Sequence, residues 1–411
     1  MQVPRRSLLR GAAATVLGSL ASPTANATPP NELPVIGEFV VHRYEVCLNN
    51  ARWHPMSRGA KQAIIDYLDY KTHGVWVPSP GLESPEAIAV RKAFASLIGA
   101  TPAEVAFVNS TTAAENMIVA ALGLHRPGKS NIVTDALHFE GSLYLYQELA
   151  KRGVDVRIVK PSGWQVDMRD FEAVVDANTR LISISTVSYI NGFVHDLKAM
   201  SDLAHTHGAY VYADSVQAAG CFPLNVRESQ VDFLATASYK WLMGDFGLGF
   251  LYVRENLLSQ LQRTQWSFRQ FTDFDYHAFP GDPAGPFPAT YLQRKDAAGL
   301  FEIGTYANGV LAALCHSLPW IQSLGPSNIQ KHALELNTKL RAEMPRLGFP
   351  CITPETSNAS IVSFAVKDDI ATAARLRAKK IDVGLSRGRM RVSPSIYNTK
   401  TDVEALLAAL S

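Results

Sequence analysis

The chain has 411 residues, of which 47% are apolar and 18% charged, with a formal net charge of +2. That length suggests two or three domains, and the composition supports a large core and excludes a disordered chain. The near-neutral balance, without any Lys/Arg-rich block, argues against nucleic acid as a partner.

Residues 1–27 stand apart. Arg5-Arg6-Ser7-Leu8-Leu9-Arg10 reads as a twin-arginine signal, a small-residue apolar run follows over 11–21, and Ala25-Asn26-Ala27 fits an A-x-A cleavage site. The run is too short to span a bilayer. Cleavage after Ala27 would remove Arg5, Arg6 and Arg10 and take the net charge from +2 to −1. Export through the twin-arginine translocase to a periplasm is the expectation, and that route suits a protein folded around its cofactor beforehand. Cys47, Cys221, Cys315 and Cys351 make no C-x-x-C pair, so neither a zinc site nor a disulfide framework is suggested, and no metal is expected.

Residues 28–56 read as an extended segment with Pro29, Pro30 and Pro34, holding a short strand within 40–48. A helix over 57–71 follows, capped by Ser57. A loop at 75–81 carries Trp76. Ser84-Pro85-Glu86 then opens a helix to about 98, with a cap, a proline in the first turn and an acid at the positive helix end. From there strands (105–109, 131–135, 154–159, 181–187, 210–213, 233–236, 249–253) alternate with helices (111–122, 140–152, 197–207). This pattern predicts a mostly parallel sheet with helices on both faces, and ligands collect at the carboxyl ends of such strands. Residues 262–296 are crowded with aromatics and prolines and lose regular periodicity, and a loop of that length is usually functional. A helix over 307–322 ends a large domain of 57–324. Residues 325–411 read as a small α+β domain with helices at 330–343, 370–379 and 401–410 and strands at 360–365 and 390–393.

Lys240 follows the apolar run 231–237 and precedes a glycine-rich turn with Gly244, Gly247 and Gly249. A lysine at the rim of a sheet is partly desolvated, which disfavours its ammonium form and leaves an amine able to condense with an aldehyde cofactor. Asp214 ends the strand 210–213, where a buried acid needs a cationic partner such as a pyridinium nitrogen. Gln217 stands three residues on, within reach of a phenolic oxygen. Thr111 and Thr112 open a helix directly after a strand, a setting that cradles anions. His138 follows the strand 131–135 and could lie flat on a planar ring. Arg391, within a strand of the small domain, suits bidentate capture of a carboxylate.

The ordered set Thr111-Thr112, His138, Asp214-x-x-Gln217, Lys240, Gly304-Thr305 and Arg391 resembles fold-type I pyridoxal 5'-phosphate (PLP) enzymes of the class V aminotransferase group, over about 45–411. That resemblance implies an α/β fold with a mostly parallel large domain and a small α+β domain. It implies PLP on Lys240, which would also shuttle a proton at the substrate α-carbon, with Asp214 at the ring nitrogen and Gln217 at the ring hydroxyl. His138 would stack on the ring, and Thr111, Thr112 and Tyr239 would bind phosphate. Thr305 would reach the phosphate of a neighbouring subunit, implying a homodimer with shared sites, and Arg391 would hold the substrate α-carboxylate. Two departures stand out. Desulfurases of this group carry a cysteine ahead of the arginine strand, and none lies between Ser360 and Arg391. Many relatives also place a phosphate-binding serine where this chain has Ala237. With its export signal the chain is similar to the periplasmic PLP enzymes that tailor the siderophore pyoverdine. Their substrate is a glutamate joined to the chromophore through its side-chain carboxyl. Oxidative decarboxylation to a succinamide is the expected reaction; the alternatives are transamination to an α-ketoglutaryl group, or aminotransferase or epimerase action on a free amino acid. The aromatic segment 262–296 and Trp76 would either border a wide mouth or form interface core.

Overall fold

The computed structural model describes residues 32–73 and 84–411; the expected export signal and the expected loop carrying Trp76 lie outside them. In chain order, β1 (Val46–Cys47) precedes α1 (Arg58–Thr72) and α2 (Pro85–Leu97). Ser57 Oγ accepts from Ala60 N at 3.1 Å and Ser84 Oγ from Ala87 N at 3.2 Å, with Pro85 in the first turn, so both helices begin where the capping residues predict.

The alternating region follows as β2 (Val105–Val108), α3 (Thr111–Ala121), β3 (Asn131–Asp135), α4 (Glu140–Lys151), β4 (Asp155–Val159), α5 (Met168–Glu172), β5 (Thr179–Ser185), α6 (Leu197–Thr206), β6 (Tyr210–Asp214), α7 (Val226–Ser229), β7 (Phe233–Ala237) and β8 (Gly249–Val253). These strands form one seven-stranded sheet in the order β2-β8-β7-β6-β5-β3-β4, in which β8 alone runs against the direction of the other six. Strand side chains alternate between faces. Val211 and Ala213 thus join a core with Phe94 of α2 and Met200 of α6, whereas Tyr212 joins a second core with Ile118 of α3 and Leu149 of α4. Burial on both faces explains why these strands read as continuous apolar runs.

The expected irregular segment 262–296 contains a hairpin instead, β9 (Phe271–Tyr276) paired antiparallel with β10 (Ala289–Gln293). Its aromatics meet across the strands, as in Phe274–Tyr291 at 6.1 Å and Phe271–Tyr291 at 4.9 Å. Cross-strand aromatic pairs stabilise such ribbons without the alternation that marks a half-buried strand. α8 (Ala297–Phe301) leads to Glu302, whose buried carboxylate accepts from Arg91 Nη1 at 2.7 Å and Phe107 N at 2.9 Å and fixes the start of the 302–307 turn.

α9 (Asn308–Leu324) packs on α1 and α2 and ends at Gly325, where α10 (Pro326–Glu343) begins. After it come β11 (Val362–Ala365), α11 (Asp369–Ala378), β12 (Ile381–Asp382), β13 (Gly384–Ser386), β14 (Arg389–Val392) and α12 (Lys400–Leu410), with a sheet in the order β11-β14-β13. These elements share a third core that Leu48 enters, and β1 pairs in parallel with β12. The N-terminal segment therefore completes the C-terminal sheet layer and brings Asn49, Ala51 and Arg52 to the site described below.

One glycine lets two backbone segments meet behind the Lys240-Trp241 turn. Gly220 has φ +103°, and a Cβ there would stand 2.5 Å from the Trp241 carbonyl oxygen. Gly220→Ala is expected to destabilise the chain by more than about 1 kcal/mol, because strained φ and a backbone clash add. A urea-denaturation midpoint equal to that of the parent would contradict this.

Candidate active site

The carboxyl ends of β2, β5, β6 and β7 converge on a cavity of about 270 Å³, lined by Ser110, Thr111, Thr112, Phe139, Ser185, Asp214, Gln217, Tyr239 and Lys240. Each lining group is delivered by a strand end. β2 stops at Val108 and Ser110 caps α3, its Oγ accepting from Ala113 N at 3.1 Å. Thr111 and Thr112 thus present hydroxyls and first-turn N–H groups at the positive end of an eleven-residue helix. Asp214 closes β6, nearly fully buried, with Oδ1 accepting from Val216 N at 3.0 Å. Burial raises its carboxyl pKa, against the smaller lowering effects of His138 and that N–H. Such an acid is completed by a cation placed before it.

Lys240 follows β7 in a tight turn. Gly244 N donates to Ser238 O at 2.9 Å, Met243 N to Lys240 O at 2.9 Å, and Met243 adopts φ 56°. Trp241 Nε1 donates to Gln217 Oε1 at 2.9 Å and Gln217 Nε2 to Ala51 O at 3.0 Å, so the glutamine is oriented by two bonds. Burial, then the Arg391 charge, lowers the Lys240 ammonium to about 8, against a smaller upward pull from Asp214. Tyr239 stacks on Phe246 with centroids 4.4 Å apart.

A second, more open cavity of about 480 Å³ shares Lys240 and Tyr189 with the first and is lined by Asn49, Arg52, Glu140, Arg389 and Arg391. Arg391 donates from Nη1 to Tyr189 O at 3.2 Å and from Nη2 to Asn49 Oδ1 at 3.4 Å. Burial, then Arg389, lowers its guanidinium to about 10, which leaves it cationic at neutral pH. The amine of Lys240 is thus placed between an anion cradle and an arginine.

Of the residues singled out in the sequence, Thr111, Thr112, Asp214, Gln217, Tyr239, Lys240 and Arg391 line these two cavities. His138 does not: it is fully buried, its Nδ1 2.8 Å from Ser185 Oγ and its Nε2 3.3 Å from Glu115 Oε1. The next residue, Phe139, lines the cavity and presents the aromatic face expected of His138. The cause is the turn after β3, where Leu137 N donates to Asp135 Oδ1 at 2.7 Å and His138 N to Asp135 O at 3.2 Å, tucking the imidazole inward. Thr305 is exposed and lines neither cavity of its own chain. Nor does any residue of 262–296, so the aromatic hairpin does not border the mouth within one chain. Sequence reasoning passed over Phe139, Ser185 and Arg389; for Phe139 the one available signal was its place beside a histidine that a buried acid would claim.

The model of the family described as Aminotransferase class-V matches residues 84–406. An uncharacterized aminotransferase of Bacillus subtilis is 28% identical, covering 87% of this chain and 90% of its own. A probable cysteine desulfurase of Methanothermobacter thermautotrophicus is 27% identical, covering 77% and 80% respectively. Among solved structures, the apo cysteine desulfurase of Thermococcus onnurineus superposes with a TM-score of 0.77 at 22% identity, over 92% of this chain and 97% of that one.

Proposed function

As a member of the class-V aminotransferase family, with its fold-type I architecture, this chain is a pyridoxal-phosphate enzyme, and we propose that it acts in the periplasm on the glutamate of a pyoverdine precursor, decarboxylating it oxidatively to a succinamide. Members of the family are typically homodimers that act on amino-acid substrates.

The donor set fits the cofactor. The α3 N-terminus with Thr111 and Thr112 would hold the phosphate, the buried Asp214 would face the ring nitrogen, and Lys240, its ammonium lowered to about 8, would meet the aldehyde. Phe139, at the cavity wall, would cover one side of the ring, and Gln217 is held at that wall by Ala51 and Trp241. When bound, the cofactor supplies an aldehyde for the substrate amine and a sink for the electrons of a breaking α-carbon bond. Lys240 holds or moves a proton at that carbon. Arg391, anchored by Tyr189 and Asn49, grips the carboxylate, and its angle of grip decides whether a proton or CO2 departs.

The observation that carries the reading is that Lys240 and Arg391 line one open cavity while no cysteine lines either cavity among the described residues. Cys47 and Cys221 are buried, and the thiol of Cys351 accepts from Arg341 Nη1 at 4.0 Å in the small domain. Passing sulfur to an enzyme thiol, as a cysteine desulfurase would, therefore has no acceptor lining these cavities, whereas recognition of a free α-amino acid group is supported. The twin-arginine signal supports a periplasmic substrate, and the open arginine-lined cavity of about 480 Å³ supports one larger than a free amino acid. The reaction balances as one amino acid and one O2 giving one amide, one CO2 and one water: the Cα–carboxylate bond breaks, one oxygen atom enters the amide and the other leaves as water.

Incubating the holoenzyme with the siderophore precursor tests this. Release of CO2 that requires oxygen is expected. A mass change that requires a 2-oxo acid and releases no CO2 would establish transamination instead.

A further inference from the structure

Arg389 and Arg391 stand two residues apart on β14, and both line the cavity that Lys240 enters. Alternate residues of a strand share a face, roughly 6.5 to 7 Å apart; Met390 between them is buried in the opposite core. Arg391 has its two backbone and amide anchors, yet its Nε is buried without a partner. The Arg389 guanidinium makes no hydrogen bond or ion pair among the described residues and lies 5.8 Å from the centre of the Tyr189 ring. Arg52 lines the same cavity, and the acid there, Glu140, accepts from the Tyr189 hydroxyl at 3.1 Å.

Adjacent guanidiniums that are partly desolvated repel each other, and a structural role would show a carboxylate bridging them. None does among the described residues; Glu140, held by the Tyr189 hydroxyl, acts on Arg389 only through space. One substrate α-carboxylate matches Arg391 and leaves Arg389 without a bonded anion. We propose that Arg389 is a specificity-determining residue that receives a second anionic group of the substrate, while Arg391 receives the α-carboxylate. This rests on the role given to Arg391 above. The class of ligand is an amino acid bearing another negative charge about one strand repeat from its carboxylate. That charge comes either from a free dicarboxylic amino acid or from an anionic group elsewhere on a larger conjugate.

The test titrates the holoenzyme with glutarate, with its monoamide (the same shape with one charge removed) and with the siderophore precursor, reading affinity by calorimetry and by the shift in cofactor absorption. For a free dicarboxylic substrate, glutarate binds at least about 10-fold tighter than the monoamide, and Arg389→Gln removes that preference while monoamide affinity is kept. For an anionic conjugate, Arg389→Gln weakens precursor binding by about the same factor and leaves the two small acids alike. Arg389→Lys restores part of either effect. The proposal is overturned if Arg389→Gln changes neither the glutarate-to-monoamide ratio nor precursor binding. Failure of the underlying role of Arg391 shows separately, as monoamide affinity unchanged in Arg391→Gln.

Discussion

Lys240→Met is expected to end turnover and, in the cofactor-free chain, to raise stability. In the role proposed for Lys240, its loss removes at least about 10³-fold in rate, and with it the absorbance of a cofactor held on that amine. The stability effect has the opposite sign because burial and Arg391 lower the ammonium to about 8 from its ordinary 10.5. Between those two values the unfolded chain binds more protons than the folded one, so folding stability rises with pH across that window. Below pH 8 the penalty for burying the ammonium is fully present, on the order of 3 kcal/mol, and above about 10.5 it is gone. Methionine fills similar volume without charge, so its gain at pH 7 should shrink to nothing at high pH. Urea denaturation of the apo forms at several pH values measures it. A variant no more stable than its parent at pH 7 would mean that the amine is not desolvated, which would remove the physical basis for its nucleophilicity.

The groups legible in the sequence are those delivered by strand ends. Asp214, Lys240 and Thr111 each follow an apolar run that buries on both faces, so the position of the run places the residue at the rim of the sheet. Arg391 was legible in the same way, from the strand that holds it. Long-range pairings left no such trace. β1 meets β12 with Val46 opposite Ile381, and nothing local to either segment announces the other. The hairpin at Phe271–Tyr276 was hidden because its stabilising contacts are cross-strand aromatic pairs rather than alternation. His138 was misplaced for a different reason. A histidine beside a cofactor pocket has an attractive role on the ring, but Glu115 lies buried on the inner face of α3 and needs a cation. That demand outranks ring stacking and leaves the cavity wall to Phe139.

Glu115→Ala is accordingly expected to be among the most destabilising single changes outside the apolar cores. The Glu115 carboxylate is buried and accepts from Ser142 Oγ at 2.5 Å, Tyr146 Oη at 2.6 Å and Ser183 Oγ at 2.8 Å, with His138 Nε2 at 3.3 Å. Burial alone would raise its pKa, but the bond and charge of His138 and the two hydroxyls of Ser142 and Tyr146 bring it below the ordinary 4.5. Burial would likewise lower His138, yet Glu115, then Asp214 and Asp135, bring it above 6.5. Removing the acid leaves an imidazolium and three hydroxyls without their acceptor, at a cost of about 3–5 kcal/mol. The pH dependence identifies the pair. A depressed carboxylate contributes fully above 4.5 and loses that contribution as pH falls through its folded value; a raised histidine contributes fully below 6.5 and loses it as pH rises through its own. The cost of Glu115→Ala should therefore peak between those limits and decline on either side. Replacing both partners, Glu115→Leu with His138→Leu, should cost less than Glu115→Ala alone, because no charge is left uncompensated. Because His138 reaches Ser185 on the cavity wall and its charge acts on Asp214, the single variant should also weaken cofactor binding. A flat pH profile from denaturation of the variant and its parent would show that the pair is neutral, and that Asp214 is held without a cation beneath it.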